Sequence, residues 1–269
     1  MDVTIISSII GIGVLGLLFG ASLAYASRKF AVEVDPKVEL VLKALSGANC
    51  GACGYPGCSA YAEAVVQGKA EINSCTPGGQ ATANQIAQIL GKEVVGAMTP
   101  VIAVVQCQGG NKEARRRFIY QGLLDCTAAQ LIASGDKACV YGCLGLGSCV
   151  KACPFDAMFM NSNGLPEVIE DKCTGCGICV KTCPRGIIKL IPKTQKIYLG
   201  CVSQDRGKKV KDACIVGCTG CTLCANPKTT PSGAIKMEGN LPVIVNAEAD
   251  DLMNAVTKCP AKSFVVRIT

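Results

Sequence analysis

Eight cysteines between Cys139 and Pro184 restrict the possible folds of this chain more than any other feature of its sequence. They form two runs of four, and a proline follows the last cysteine of each run. The first run is Cys139, Cys143, Cys149 and Cys153. The second run is Cys173, Cys176, Cys179 and Cys183, with the spacing C-x2-C-x2-C-x3-C-P. This spacing is typical of thiolate ligands to 4Fe-4S clusters, so we expect loops that fold around two such clusters.

The doubled run resembles that of bacterial two-cluster ferredoxins, in which three closely spaced thiolates hold one cluster and the fourth reaches the neighbouring cluster. This crossed ligation predicts two ligand sets. The first predicted set is Cys139, Cys143, Cys149 and Cys183. The second predicted set is Cys173, Cys176, Cys179 and Cys153. Two zinc sites with four thiolates each are the alternative, but they account for neither the doubled run nor the two prolines.

A third group of cysteines lies upstream, with intervals of two, four and sixteen residues. Its members are Cys50, Cys53, Cys58 and Cys75. Glycines between the first three allow the backbone to fold tightly around a metal core and to turn its N–H groups toward the sulfurs. We therefore predict a third 4Fe-4S cluster here. A structural zinc ion is the alternative, although zinc sites built from four cysteines usually pair two C-x2-C units, and this group does not.

The cysteine spacing of residues 126–149 is repeated in residues 201–224. In both copies the intervals are twelve, three and five residues. Leu146 in the first copy stands where the second copy has Cys221. The first copy therefore needs a substitute ligand from upstream, for which Cys139 is the prediction.

The second copy also lacks the crossed cysteine, because Lys228 stands where the first copy has Cys153. No second C-x2-C-x2-C run follows it, so a crossed ligand would have no cluster to bind. We predict one cluster in this copy, held by Cys218, Cys221, Cys224 and Cys259. With the three upstream sets, this makes four 4Fe-4S clusters.

Four of the 20 cysteines remain outside these sets. Cys107 is interpreted as a small buried apolar residue at the end of a strand. Cys214 matches Cys139 in the repeat and is an alternative to Cys221 as a ligand. Cys126 and Cys201 occupy matching positions and have no assigned role.

The absence of histidine excludes Rieske centres, His-ligated haem and Ser-His or Cys-His catalytic pairs. We predict no catalytic residue. The formal net charge of +7 treats every cysteine as a neutral thiol. Each oxidised 4Fe-4S core with four thiolates carries about two negative charges, so four clusters bring the loaded chain close to neutrality. The basic composition therefore does not indicate nucleic-acid binding, and the cysteine spacings favour a reducing compartment.

Residues 5–26 contain no charged side chain and are long enough to cross a bilayer, which takes about 20 residues. Arg28 and Lys29 follow immediately. The positive-inside rule then predicts a single-pass anchor in the cytoplasmic membrane with the bulk of the chain on the cytoplasmic side. A cleaved signal peptide ending near Ala26 is the alternative, but the segment lacks a basic N-terminal region.

Apolar periodicity and capping residues predict several local elements. Asp35 caps a helix ending near Leu45, with Val38, Val41, Leu42 and Leu45 facing inward. Further predicted elements are a helix capped by Ser59 and ending at Val66, a helix over 80–90 that stops at Gly91, a buried strand over 101–107, and a helix over 111–124. The arginines at 115–117 could attract an acidic ferredoxin or simply form a solvated helix face.

The order of these parts, a membrane helix, a four-cysteine module and ferredoxin repeats, resembles the B subunit of the Rnf complexes over essentially the whole chain. The resemblance implies a membrane-bound ferredoxin:NAD oxidoreductase that couples electron transfer to sodium or proton export. It also implies soluble ferredoxin as electron donor and other Rnf-type membrane subunits that carry the flavin and NAD chemistry and the ion path. The alternatives are a ferredoxin-like subunit of another membrane redox complex, or an iron-sulfur sensor or scaffold.

We predict an α+β chain in five parts. They are a transmembrane anchor (1–28), a four-cysteine 4Fe-4S module (29–97), a strand-helix connecting segment (98–138), a two-cluster ferredoxin domain (139–195) and a single-cluster ferredoxin-like unit (196–269). The predicted function is that of the electron-transfer subunit of an ion-translocating oxidoreductase, without substrate chemistry of its own.

Overall fold

The computed structural model describes residues 3–30, 35–93, 96 and 99–267. Helix α1 spans Val3–Lys29 and ends in Arg28 and Lys29. Within the described residues it is the one helix that is long and apolar enough to cross a membrane, judged by its length and composition. Its described side chains are almost all exposed, as expected of a helix with no protein neighbours.

Three helices follow and pack together: α2 over Pro36–Ala44, α3 over Cys58–Val66 and α4 over Gly79–Leu90. Their common core contains Val41, Tyr61, Val65 and Ile86. The side chain of Asp35 accepts a hydrogen bond from the N–H of Lys37, so the predicted N-cap of α2 is confirmed.

Two local predictions in this helical module are wrong, and one is confirmed. Ser59 does not cap α3, which begins at Cys58 with Gly57 as its N-cap. Leu42 is exposed, because only one face of α2 contacts α3 and α4. The stop at Gly91 is confirmed, since this residue has a φ of 64°, the left-handed conformation that glycine adopts without a Cβ clash.

The next part of the chain forms a first ferredoxin-like unit. Strand β1, Val101–Val105, pairs antiparallel with β4, Ile188–Pro192. Between them lie α5 (Cys126–Leu131), α6 (Ser148–Lys151), a hairpin of β2 (Met158–Met160) and β3 (Pro166–Val168), and α7 (Ile178–Thr182). The strand predicted in the connecting segment therefore shares a sheet with the end of the cysteine-rich segment.

The remainder repeats this plan as a second ferredoxin-like unit. Strand β5, Ile197–Leu199, pairs antiparallel with β8, Phe264–Val266. Between them lie α8 (Gly207–Ala213), a 3-10 turn (Leu223–Ala225), a hairpin of β6 (Ile235–Glu238) and β7 (Leu241–Ile244), and α9 (Leu252–Lys258). Each unit is thus closed by a pairing between its first and last strands.

The helix predicted over 111–124 is wrong, because this segment has no regular helical structure. Its backbone groups bond to distant segments instead. The N–H of Arg115 donates to the carbonyl of Ala213 at 2.9 Å, and the N–H of Arg117 donates to the carbonyl of Asp136 at 2.7 Å. These bonds use the groups that a helix would pair internally, and they tie the segment to α8 and to the loop before Cys139.

Candidate metal centres

All 20 cysteines lie in the described part of the chain, and each is a free thiol. Disulfides therefore do not hold the fold together. The thiols are gathered in groups, and each group either surrounds a cavity or lies within one small module.

The N-terminal group is built by the loop between α2 and α3, the first residue of α3 and the loop between α3 and α4. Cys50, Cys53 and Cys58 are close enough to Cys75 to raise its pKa, although burial is the larger cause of that rise. Asn49 orders the loop, because its side-chain oxygen accepts the N–H of Cys58 at 2.8 Å. The structure therefore brings together the four cysteines predicted here.

A second cavity lies beside α7. Among its lining residues are the four cysteines of one predicted crossed set, Cys153, Cys173, Cys176 and Cys179. The N–H of Ala157 donates to Sγ of Cys153 at 3.4 Å, which orients that sulfur. The structure therefore brings Cys153 to three cysteines of the second run, as the predicted crossing requires.

A third cavity lies in the second ferredoxin-like unit. Its lining includes Cys218, Cys221, Cys224 and Cys259. The N–H of Ser263 donates to Sγ of Cys259 at 3.4 Å, four residues beyond the cysteine, as Ala157 does for Cys153. Cys214, the alternative to Cys221 in this set, does not line this cavity.

A fourth cavity differs from the prediction. Its cysteines are Cys126, Cys143, Cys149 and Cys183. The predicted set contained Cys139 in place of Cys126, and the structure does not bring that set together. Cys139 instead lines a separate cavity with Cys107, Cys201 and Cys214.

The position of Cys126 has a local cause at the start of α5. Asp125 caps the helix by accepting the N–H of Ala128 at 2.9 Å. The hydroxyl of Ser148 accepts the N–H of Cys126 at 2.8 Å and donates to Asp125 at 2.9 Å. These bonds hold Cys126 against the first turn of α6, next to Cys149. The repeat indicates that an upstream cysteine replaces Leu146. Cys126, which the sequence analysis left without a role, is that cysteine in the structure.

The buried thiols have raised pKa values. Burial raises the pKa of Cys143 and of Cys179 to about 12. Burial also raises the pKa of Cys149 and of Cys224 to about 11. Metal ligation requires thiolates, so cluster binding at these sites releases protons and is opposed by low pH.

The residues fit iron-sulfur clusters better than single ions. In the ranges that the structure describes, no three His, Cys, Asp or Glu side chains are arranged to hold one metal ion. Four sulfurs around a cavity suit a larger core, because the corner irons of a cube separate their ligand sulfurs more widely than one zinc ion does. The zinc alternatives for the predicted sets therefore gain no support from the geometry.

Neighbouring groups lie close enough to influence one another. Burial raises the pKa of Cys176, and Cys50 of the helical module raises it further. Likewise Cys149 adds to the effect of burial on the pKa of Cys179. The helical module, the cavity beside α7 and the cavity beside α5 therefore form a continuous series.

Two of the arginines at 115–117 form side-chain contacts within the chain, although all three residues are exposed. Arg116 forms an ion pair with Asp136, and Arg117 donates to the carbonyls of Ala133 and Gly135 at 2.6 and 2.7 Å. These contacts give Arg116 and Arg117 a structural role, and the attraction of a ferredoxin by this segment stays a prediction.

Comparisons with known proteins agree with this interpretation of the cysteines. Residues 45–77 match a family model for an Fe-S cluster. Residues 137–190 match the family model of a 4Fe-4S dicluster domain.

Three curated relatives, each the B subunit of a redox complex, are similar over most of the chain. That of the proton-translocating ferredoxin:NAD(+) oxidoreductase complex of Clostridium ljungdahlii is 45% identical over 260 residues, covering 96% of this chain and 90% of the relative. That of the ion-translocating oxidoreductase complex of Methanosarcina acetivorans is 39% identical over 267 residues, covering 99% and 100%. That of the Na(+)-translocating ferredoxin:NAD(+) oxidoreductase complex of Acetobacterium woodii is 42% identical over 249 residues, covering 93% and 74%.

Proposed function

Because the chain belongs to the family of B subunits of ion-translocating ferredoxin:NAD(+) oxidoreductase complexes, we propose that it is the membrane-anchored electron relay of such a complex. In this role it accepts electrons from reduced ferredoxin and passes them to membrane partner subunits. The observation that carries the proposal is the set of four-cysteine groups, three of which lie beside one another in series. An electron carrier needs such contiguity, whereas a sensor needs only one labile cluster.

We assign four 4Fe-4S ligand sets. They are Cys50, Cys53, Cys58 and Cys75; Cys153, Cys173, Cys176 and Cys179; Cys126, Cys143, Cys149 and Cys183; and Cys218, Cys221, Cys224 and Cys259. A bound cluster supplies a one-electron redox centre whose potential depends on hydrogen bonds to its sulfurs and on solvent exposure. The chain supplies both controls, through N–H groups such as those of Ala157 and Ser263 and through the full or partial burial of every assigned ligand except Cys221.

The two ends of the series differ in exposure and in their distance from the anchor along the chain. Cys221 is the one exposed cysteine of the chain. Leu223, which lines the same cavity, is also exposed. We assign electron uptake from ferredoxin to this end, since a soluble carrier must approach a ligand closely. The Cys50 module directly follows the α1 segment, and we assign electron release toward membrane partners to that end.

Helix α1 anchors the relay. A single pass through the cytoplasmic membrane, with Arg28 and Lys29 on the inner side, leaves the whole cysteine-bearing part on the cytoplasmic side. That side is where reduced ferredoxin is available and where thiolate ligands stay reduced.

The test uses the full-length chain purified anaerobically in detergent. Iron and acid-labile sulfide are counted per chain, and low-temperature EPR spectra are recorded during titration with reduced ferredoxin. At least about sixteen irons are expected, four for each assigned set, with reduced-cluster signals that grow with added ferredoxin. Oxidised ferredoxin is the control. Clusters that dithionite reduces but reduced ferredoxin does not would contradict the relay.

A further inference from the structure

We propose that Cys107, Cys139, Cys201 and Cys214 hold an additional 4Fe-4S cluster between the two ferredoxin-like units. Cluster binding is inferred from the geometry of these four residues. The role of this cluster in electron transfer rests on the proposed function. All 20 cysteines then belong to sets of four.

The four cysteines line one cavity of about 500 Å³, measured with its open mouth. The cavities of the other sets measure about 370 Å³ for the Cys218 set, 370 Å³ for the Cys126 set and 330 Å³ for the Cys153 set. The additional cavity is therefore at least as large as those beside predicted cluster ligands.

Each unit contributes two of the four cysteines, and the contributions are equivalent. Cys107 of the first unit corresponds to Cys201 of the second. Cys107 stands two residues beyond the end of β1, and Cys201 stands two residues beyond the end of β5. Each receives an N–H hydrogen bond at 3.3 Å, from Cys143 and from Cys218 respectively. The donors are matching positions of the sequence repeat. An equivalent N–H hydrogen bond in each unit thus orients one sulfur toward the shared cavity.

The remaining two cysteines, Cys139 and Cys214, also occupy equivalent positions in the two units. Cys139 precedes Cys143 by four positions, and Cys214 precedes Cys218 by four. These two cysteines stand at the same place in the repeat, and both line the shared cavity. Two copies of one ligand pair, brought face to face, complete a set of four that neither unit holds alone.

Two glycines allow the sulfurs to approach. A Cβ at Gly109 would lie 2.9 Å from Sγ of Cys214, closer than side chains tolerate. A Cβ at Gly142 would lie 3.5 Å from the sulfurs of both Cys107 and Cys139. Larger residues at these positions would fill the space beside the sulfurs.

A buried cation lies at the same place. The side chain of Lys137 is 1% exposed, lines the cavity and donates to the carbonyl of Gly109 at 2.8 Å. Among the residues with described placement, no carboxylate forms an ion pair with it. A buried charge requires compensation, and a cluster with four thiolates, which is an anion, supplies it.

The cavity also fills the gap in the series. Cys107 contacts Cys143 of the Cys126 set, and Cys201 contacts Cys218 of the C-terminal set. Each contact joins the additional group to a predicted ligand of one unit. A cluster here connects the C-terminal set to the other three sets. It is reduced by one neighbouring cluster and oxidised again by the next, so its own redox state is restored after each transfer.

The first test counts iron in the isolated full-length chain and in a double variant, Cys107→Ala with Cys214→Ala. We expect about twenty irons in the wild type and about sixteen in the variant. Ser203→Ala is the matched control, since Ser203 is buried and lines the same cavity but bears no thiol. It should keep about twenty irons. A wild-type count of about sixteen, unchanged in the double variant, overturns the inference.

The second test does not depend on the folding of a variant. A cryo-EM map of the anaerobically prepared wild-type complex should show cubane density among the four sulfurs. A zinc ion, a disulfide or no density there overturns the inference while the four assigned sets remain. Absence of cubane density at those four sets as well would instead overturn the proposed function.

Discussion

The backbone N–H of Cys143 lies 3.3 Å from the sulfur of Cys107, so a cysteine two residues beyond β1 directly contacts a cysteine of the Cys126 set. The same contact joins Cys218 to Cys201 in the second unit. The ligands of one group therefore help to orient the sulfurs of the next, and a substitution at one group is expected to alter its neighbour.

The identity of the fourth ligand beside α5 can be tested by moving it. Cys126→Ala should remove about four irons, because three thiolates of that set remain. Adding Leu146→Cys should restore them, since Leu146 packs against the apolar cluster that contains Cys126 and stands where the second copy has Cys221. Iron counts and reduced-cluster EPR spectra provide the measurement. Full occupancy in Cys126→Ala would show that another residue is the ligand.

Ser148 holds the start of α5 in place, and its loss should destabilise that site. Ser148→Ala leaves the N–H of Cys126 without its acceptor, which costs about 1–3 kcal/mol for a buried donor. We expect faster iron release to a chelator, followed by absorbance, in this variant than in the wild type. Ser232→Ala, in the second unit, is the control and should affect release from the Cys126 set little. Equal release rates for Ser148→Ala and wild type would contradict the role.

Lys137 should raise the reduction potential of the clusters near it. Its buried ammonium favours the added negative charge of the reduced state, so Lys137→Met should lower a midpoint potential by roughly 30–60 mV, where 59 mV is tenfold for one electron. An EPR-monitored redox titration measures this. Lys112→Met, at an exposed position, should shift the potential much less. An unchanged potential in Lys137→Met would exclude the electrostatic effect.

The ion pair between Glu170 and Arg267 should make stability depend on pH. Glu170 Oε1 and Oε2 accept from Arg267 at 2.7 and 2.6 Å, and these bonds lower the pKa of Glu170 below its usual 4.5. A carboxylate with a lowered pKa adds stability above about pH 4.5 and loses it as the pH falls through the folded-state value.

Glu170→Gln should therefore be less stable than wild type near pH 7 by about 1–2 kcal/mol, allowing for the partial exposure of Glu170. The difference should shrink as the pH falls below about 4.5. Urea unfolding of the two proteins at matched pH values provides the comparison. Glu167→Gln, three residues away, is the control. A difference that is constant with pH would show that the charge of Glu170 is not the cause.

Local spacing was enough to predict some of the cysteine groups that the structure brings together. The set around Cys173 and the set around Cys50 are each built mainly from one short loop, where intervals of a few residues determine which sulfurs can meet. Gly91 and Asp35 were predictable for the same reason, because a cap depends on residues within one turn.

The errors lie where distant strands decide the outcome. Cys126 was not assigned because its bond to Ser148 spans 22 residues, and sequence intervals carry no information about such contacts. The N–H of Cys143 donates to the sulfur of Cys107 across 36 residues of sequence, and the interpretation of Cys107 as an apolar residue could not anticipate this contact. The periodicity over 111–124 predicted a helix, but bonds to residues 136 and 213 replaced it.

The sequence position of the last cysteine in each group also sets the earliest moment during synthesis at which all four cysteines of that group are present. The N-terminal group is complete once Cys75 has left the ribosome, whereas the Cys126 cavity waits for Cys183, and the cavity between the units waits for Cys214. Since β1 pairs with β4, the sheet of the first unit cannot close until residue 192 has emerged. The earliest point at which each cysteine group can be complete therefore follows the order of the chain, beginning with the group nearest helix α1.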